Sequence, residues 1–165
     1  MRTHLAFAAG PLGAVAVATM ALAATIMLDS RPWSVGYDAA DDQQHITEFV
    51  LEGQVVENWQ ELFTRQIMFD PGGKIPMNRF VELTRAGFGP DCKDLHWSVL
   101  RQSESEAIYN WSHSGCASYP PQHEISRLSR SPRGLCRWAY SSKRVPLAPS
   151  AVDKYLAIVE KLPCD

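Results

Sequence analysis

Residues 46–69 read ITEFVLEGQVVENWQELFTRQIMF, and the conformation of their second half decides the fold. Residues 46–51 suit a short strand, and Glu52-Gly53-Gln54 suits a turn. Beyond that turn two periods compete. Val55, Val56, Trp59, Leu62, Phe63 and Ile67 follow helical spacing. Read as a strand, the same stretch places Trp59, Phe63, Ile67 and Phe69 on one face, interrupted by Glu61 and Arg65, with Leu62 and Met68 on the other. Periodicity alone favours the helix.

The flanking sequence supplies partners for either form. Asp70-Pro71-Gly72-Gly73 breaks the chain, and Pro76 followed by Met77, Phe80, Val81 and Thr84 predicts a helix that stops at Gly87. Leu95, Trp97 and Val99 alternate with His96, Ser98 and Leu100, and after the turn at 103–105 Ala107, Tyr109 and Trp111 alternate with Ile108 and Asn110, which predicts a hairpin. Further strands are expected over 123–130 and 135–142, separated by Ser131-Pro132-Arg133-Gly134. A final helix, capped by Ser150, carries the stripe Val152, Tyr155, Leu156, Val159 and Leu162 and ends at Pro163. Antiparallel strands with one helix inserted and one appended predict an α+β domain.

The residues Glu57-Asn58-Trp59-Gln60-Glu61-Leu62, with Thr64 and Gln66, resemble a pattern of exported bacterial proteins that share the Mog1/PsbP/DcrB-like fold. There the segment is a strand reading Glu-Asn-Trp-Thr-Glu, an apolar residue, a Thr and a Gln; here Gln60 replaces the first Thr. Glu124, Ile125, Arg127, Gly134-Leu135, Tyr140 and Lys143 fall where such proteins often carry like residues, so the resemblance covers most of residues 46–162 through scattered positions. It implies that 57–69 is a strand with Trp59 anchoring the core. It also implies an antiparallel β-sheet flanked by helices in an α/β/α layered sandwich, and an adaptor-like role in which the domain docks onto larger partners.

The amino terminus sets the compartment. After Arg2 and His4 the run to Leu28 carries no charge, and Ala21-Leu22-Ala23 fits a cleavage pattern, so residues 1–28 read as a signal peptide or, uncleaved, a membrane anchor. The protein is therefore expected to be exported: periplasmic or secreted, or anchored in the inner membrane facing the periplasm. Residues 29–44 are polar and acidic with Pro32 and Gly36 and read as a spacer, leaving 45–165 as a single domain. Cys92, Cys116, Cys136 and Cys164 all follow the signal, as disulfides in an oxidising compartment would. Four cysteines allow three pairings and the sequence does not choose among them. The pairing we expect is Cys92–Cys116, joining the loops around a hairpin, with Cys136–Cys164 tying the carboxyl terminus to the sheet.

With 165 residues, 45% hydrophobic, the chain is long enough for a real core. A net charge of -2 and a pI near 6.2 give no preference for nucleic acid. Arg127, Arg130, Arg133, Arg137, Lys143 and Arg144 nevertheless follow one another without an intervening acid from 127 to 144, a candidate protein-binding surface. The densest reactive group is His113, Cys116, His123 and Glu124. His113-x-x-Cys116 with His123 has ligand types that suit zinc or copper, but further ligands at tight spacing are missing and Cys116 is expected in a disulfide. Oxidation also removes the thiolate a cysteine nucleophile needs. No Gly-x-Ser-x-Gly elbow occurs, and Gly72-Gly73-Lys74 lacks the spacing and the Ser/Thr of a phosphate loop. No catalytic residue, metal or cofactor is therefore assigned. The expectation is an exported non-enzymatic domain that binds an unidentified protein or supports an envelope assembly, touching the membrane only through an uncleaved amino terminus. The alternative is a small-ligand-binding, metal-handling or hydrolytic domain using a pocket near His113, His123 and Glu124.

Overall fold

The computed structural model describes residues 25–70, 73–90, 92–116 and 119–164. Residues 1–24, which hold most of the expected export segment, lie outside that range. One antiparallel sheet organises the chain. β1 (Thr25–Leu28), β2 (Arg31–Ala40), β3 (Gln44–Leu51) and β4 (Glu61–Phe69) form a first meander. The chain crosses through α1 (Met77–Ala86) to the far edge. There β5 (His96–Gln102), β6 (Glu106–His113), β7 (Gln122–Ser131) and β8 (Gly134–Ser142) form a second meander that returns to pair with β4. α2 (Pro149–Val159) follows. The strand order is β1-β2-β3-β4-β8-β7-β6-β5.

This largely β fold overturns the expected α+β, α/β/α layered sandwich. Eight strands at ~4.8 Å spacing span about 34 Å. The two helices, of 10 and 11 residues, are only about 15–17 Å long at ~1.5 Å per residue. Neither can cover a face as a layer. They lie on opposite faces instead, α2 against β7 and β8 and α1 against β5 and β6.

Strand alternation divides the core between those faces. On the α2 face Trp33, Phe49, Phe63, Trp138, Tyr140, Tyr155 and Val159 pack together, with Trp33 edge-on to Phe63 at 4.8 Å and Tyr140 stacked on Tyr155. On the α1 face Met77 and Val81 cover Tyr109, Trp111, Leu128 and Leu135. Residues 61–69 are strand, as the resemblance implies, because β3 and β8 pair with them on both sides. Trp59 does not anchor the core. It follows a 3-10 turn (Val56–Asn58), lies outside β4, and is half-buried with the Lys143 ammonium 4.9 Å from its ring centroid. The anchoring tryptophan is Trp33, which has no exposed surface. α2 likewise starts one residue before Ser150: Ala148 is the N-cap and Pro149 takes the first turn.

Trp33 sits in what was expected to be spacer, and residues 29–44 are instead mostly β2 and its flanking turns. Asp29 and Ser30, both with positive φ, make a two-residue hairpin between β1 and β2. Asp29 is held there by many donors. Its carboxylate accepts from Arg31 Nη2 at 2.6 Å, Lys154 Nζ at 3.1 Å, Trp33 Nε1 at 3.0 Å and Tyr155 Oη at 3.3 Å. Glu61 on β4 accepts from Arg31, Tyr140 and Tyr155, so one network joins β2, β4, β8 and α2. Gly36 lets the 3-10 turn close on β2, since a Cβ there would lie 2.6 Å from Val56 Cγ2. Gly134 is still more constrained. At φ 140° its missing Cβ points into the Met68 carbonyl and the Asp70 amide of the neighbouring chain segment.

Cys92–Cys116 and Cys136–Cys164 are joined, at sequence separations of 24 and 28. The first ties the loop before β5 to the loop after β6; the second ties the tail beyond α2 to β8. Loops of this size contribute about 3–4 kcal/mol each in a chain-entropy description. Two disulfides are compatible with an oxidising, exported setting. Among the described residues no helix is long and apolar enough to cross a membrane.

Two outcomes test this reading of residues 29–44. Trp33→Ala should cost about 3–5 kcal/mol in chemical unfolding, as for any large core aromatic, whereas a spacer residue would cost nothing. Acid unfolding tests the network. Burial opposes ionisation of Asp29 and Glu61, but Arg31, helped by Trp33, Lys154 and the two tyrosines, outweighs it and holds both below the ordinary carboxylate range. The unfolded chain then binds more protons in that window, so stability is full above the ordinary carboxylate pKa and is lost as pH falls through the depressed values. Asp29→Asn should be less stable at pH 7 and show a shallower acid dependence in melts between pH 5 and 2.

Candidate functional site

Where α1 ends, the sheet face it shares is left open toward β3. Here Thr64, Gln66 and Leu62 of β4, Ile46 and Glu48 of β3, Arg137 and Ser141 of β8 and Glu124 of β7 share one face through the alternation and register of the four strands. Above that floor runs a cleft of two lobes, about 340 and 310 Å³. Thr84, Gly87 and Phe88 at the end of α1, with Trp111 and His113 of β6, wall the larger. Trp59, Leu62, Ile46, Glu48 and Pro120 line the smaller. Tyr119, Gln122, Glu124 and Arg137 line both.

The centre of the floor is a largely buried ion pair, in which Glu124 is buried and the Arg137 side chain keeps 16% of its surface exposed to the cleft. Glu124 Oε1 accepts from the Arg137 guanidinium, from Ser126 Oγ at 2.6 Å and from Trp111 Nε1 at 3.2 Å; its Oε2 accepts from Ser141 Oγ at 3.0 Å. Arg137 also donates to Gln66 Oε1 at 3.2 Å, while its buried Nε has no partner among the described residues. Burial works against the Arg137 charge, but the Glu124 carboxylate more than restores it and holds the guanidinium charged. Neither group folds the sheet by itself. A buried pair of this kind returns about as much Coulomb energy as its desolvation costs, and apolar residues of like volume often do as well.

The residues singled out in the sequence separate in space. His113 and Glu124 face the same cleft, since His113 pairs with Gln122 and Trp111 with Glu124 across β6 and β7. His123 lies between Gln122 and Glu124 on β7 and so points to the α2 face, where its Nδ1 accepts from the Leu147 amide at 3.1 Å. The three therefore do not converge. His113 stacks on Trp111 with centroids 5.5 Å apart, and its Nδ1 accepts from the Gly115 amide at 3.1 Å. Burial lowers the pKa of both rings, for His113 against the opposing pull of Asp94. Cys92, His113 and Cys116 bring their donor atoms within 4.8 Å of one another, but both sulfurs are in the disulfide and offer no thiolate.

The six basic residues do not form one surface. Arg127 points to the α2 face and donates to Glu106 at 2.8 Å and to the Leu162 carbonyl at 3.0 Å. Arg130, on the opposite face, pairs with Asp70 at 3.1 Å and donates to the Ile75 carbonyl. Arg137 lies in the cleft. Arg133 precedes β8, whereas Lys143 and Arg144 follow it, about 30 Å away along the strand. An acid-free stretch of sequence has become several separate contacts with acids from elsewhere in the fold.

Glu48, Gln66, Trp111, Gln122 and Ser141 were missed as site residues. For all but Trp111, which belongs to the apolar alternation itself, the one sequence signal is a polar side chain within a strand, a position that needs a partner or a ligand when buried. No protein-family model, curated protein or solved structure matches this chain.

Breaking the ion pair on one side should be expensive. Glu124→Ala leaves a largely buried Arg137 uncompensated and should cost about 3–5 kcal/mol in denaturant unfolding. The double replacement Glu124→Leu with Arg137→Met should recover most of that loss. The histidines add a pH effect of known sign. Because burial depresses both folded pKa values, the unfolded chain binds more protons and stability falls as pH drops below the ordinary imidazole value of ~6.5. His123→Asn should flatten the melting temperature between pH 7 and 5.

Proposed function

We propose that this protein is an exported binding domain, acting in the periplasm or outside the cell, that captures a small ligand in the cleft over Glu124 and Arg137. One observation carries the reading: a largely buried charged pair lies at the bottom of an aromatic-walled cavity, on the part of the sheet face that α1 leaves uncovered. Stability does not require that arrangement, because apolar side chains would close the same space. A binding site gives it a use, because fixed polar groups orient a ligand. Cavities of a few hundred Å³ with apolar walls and a few fixed polar groups are the usual form of small-molecule sites. Phe88, Trp111 and Tyr119 supply flat apolar surface, while Gln122 and the edge of Arg137 supply directed hydrogen bonds. Every hydrogen bond that holds Glu124 comes from a strand residue, so the floor is preorganised on rigid elements.

A second reading, docking to another protein, is supported by β5. It is an edge strand, six of its seven residues are exposed, and Val99 and Leu100 present apolar side chains beside an unpaired backbone edge.

A fragment screen by amide NMR on the purified, oxidised protein separates the two. Capture in the cleft should move the amides of Trp111, Gln122, Glu124 and Arg137. Phe88→Ala, which leaves the floor intact, should weaken the best fragment by about tenfold, as expected for loss of an aromatic wall. Shifts confined to 96–102 would favour the edge-strand reading, and no cleft shifts from any fragment would remove the cleft reading.

A further inference from the structure

Two carboxylates line the cleft, and they differ in one respect. Glu124 is saturated, with four donors on its two oxygens. Among the described residues Glu48 has no hydrogen bond and no ion pair, although it is half-buried on a central strand between Tyr37 of β2 and Thr64 of β4. The guanidinium of Arg137 acts on it from a distance but is committed to Glu124 and Gln66. Lys143, near the same rim, rests over the Trp59 ring and makes no ion pair with Glu48. With the Glu124–Arg137 pair neutral as a unit, the smaller lobe carries one surplus negative charge. Around that charge stand apolar and aromatic groups, Ile46, Leu62, Trp59 and Tyr119. A carboxylate beside aromatic faces in a partly desolvated hollow is the arrangement that recognises organic cations.

We propose that the smaller lobe holds an organic cation, an ammonium or guanidinium group on an apolar stem, with Glu48 as its counter-ion. The stem lies against Ile46 and Leu62, and Trp59 and Tyr119 flank the charge. This inference rests on the cleft being a binding site and names the chemistry of what it takes. It also explains an otherwise unfavourable feature. Burial outweighs Arg137 and pushes the Glu48 pKa above the ordinary glutamate value, so the ionised group destabilises the empty fold. A cation arriving from solution supplies the missing partner.

The test uses the purified, oxidised protein and four probes: n-butylammonium, N-acetyl-lysine methylamide, N-acetyl-arginine methylamide and the uncharged N-acetyl-norleucine methylamide. Binding is followed by the amide signals of residues 46–50 and 62–66. The cations should bind and the norleucine probe should bind at least tenfold more weakly. Glu48→Gln should erase that difference while leaving the larger lobe's fragments unaffected. Butylammonium binding as well as the amino-acid amides assigns the cation to a small amine; a tenfold preference for the amides assigns it to a polypeptide side chain. A second readout needs no ligand. Because the folded pKa is raised, the stability contributed by protonated Glu48 is present at low pH and lost as pH rises through that value. Glu48→Gln should therefore melt higher than the parent at pH 7 and alike at pH 4, where a purely structural glutamate would melt lower when replaced. Equal binding of the norleucine probe, or cation binding unchanged in Glu48→Gln, overturns the cation while the cleft survives on its fragment shifts. Silence from both probes and fragments overturns the cleft itself.

Discussion

The ladder between β4 and β8 is the constraint on which the rest of the molecule depends. Nine residue pairs, from Glu61 with Ser142 to Phe69 with Gly134, join two meanders that would otherwise be separate four-stranded sheets. These pairs are far apart in sequence, and closing that loop requires the crossover through α1 to carry the chain to the opposite edge. The register is held at one end by Gly134, whose missing side chain lets the β7–β8 turn lie against Met68 and Asp70. A one-residue slip would send Phe63 and Tyr140 to the cleft face and Arg137 into the aromatic core, so burial of each face reinforces the same pairing.

Two polar networks straddle that ladder on opposite faces, and they do different work. On the α2 face Arg31 bridges Asp29 and Glu61 under a pair of stacked tyrosines, and the result closes the first hairpin onto the last helix. Its groups draw together elements distant in sequence. On the other face Glu124 and Arg137 are held by neighbouring strands of the central sheet, and an open volume remains above them. The first network is consumed by folding. Among the described residues the second leaves an unpartnered guanidinium Nε and, two strands away on β3, an unpartnered Glu48, the sort of residual valence on which a ligand acts.

The strands from β5 to β8 and both helices are legible in the sequence because each carries its own local pattern: alternation about Tyr109, Trp138 and Tyr140, and the stripe through Tyr155 and Val159. β1 and β2 are not. Their turn is Asp-Ser and not a glycine pair, Pro32 and Gly36 imitate a loop, and a register shift after Val35 breaks the alternation. Trp59 misleads in the opposite sense, an aromatic in a strand-like motif that the 3-10 turn carries to the rim. The site was half legible. Glu124 and His113 stand out as chemistry-bearing residues, but whether His123 joins them depends on a one-residue parity that nothing in composition reveals.

By itself, then, the sequence determined the period of most elements and the even set of cysteines, with which an oxidising, exported setting is compatible, since these are read from the chain without its fold. Only the tertiary structure decided the fold class, the dispersal of the six basic side chains, the role of Trp33 and the cleft. Each of those depends on strand order and register, which bring Glu48, Gln66, Glu124 and Arg137 from four strands onto one face. Register is set by the summed burial of two faces, a quantity that belongs to no single stretch of the chain.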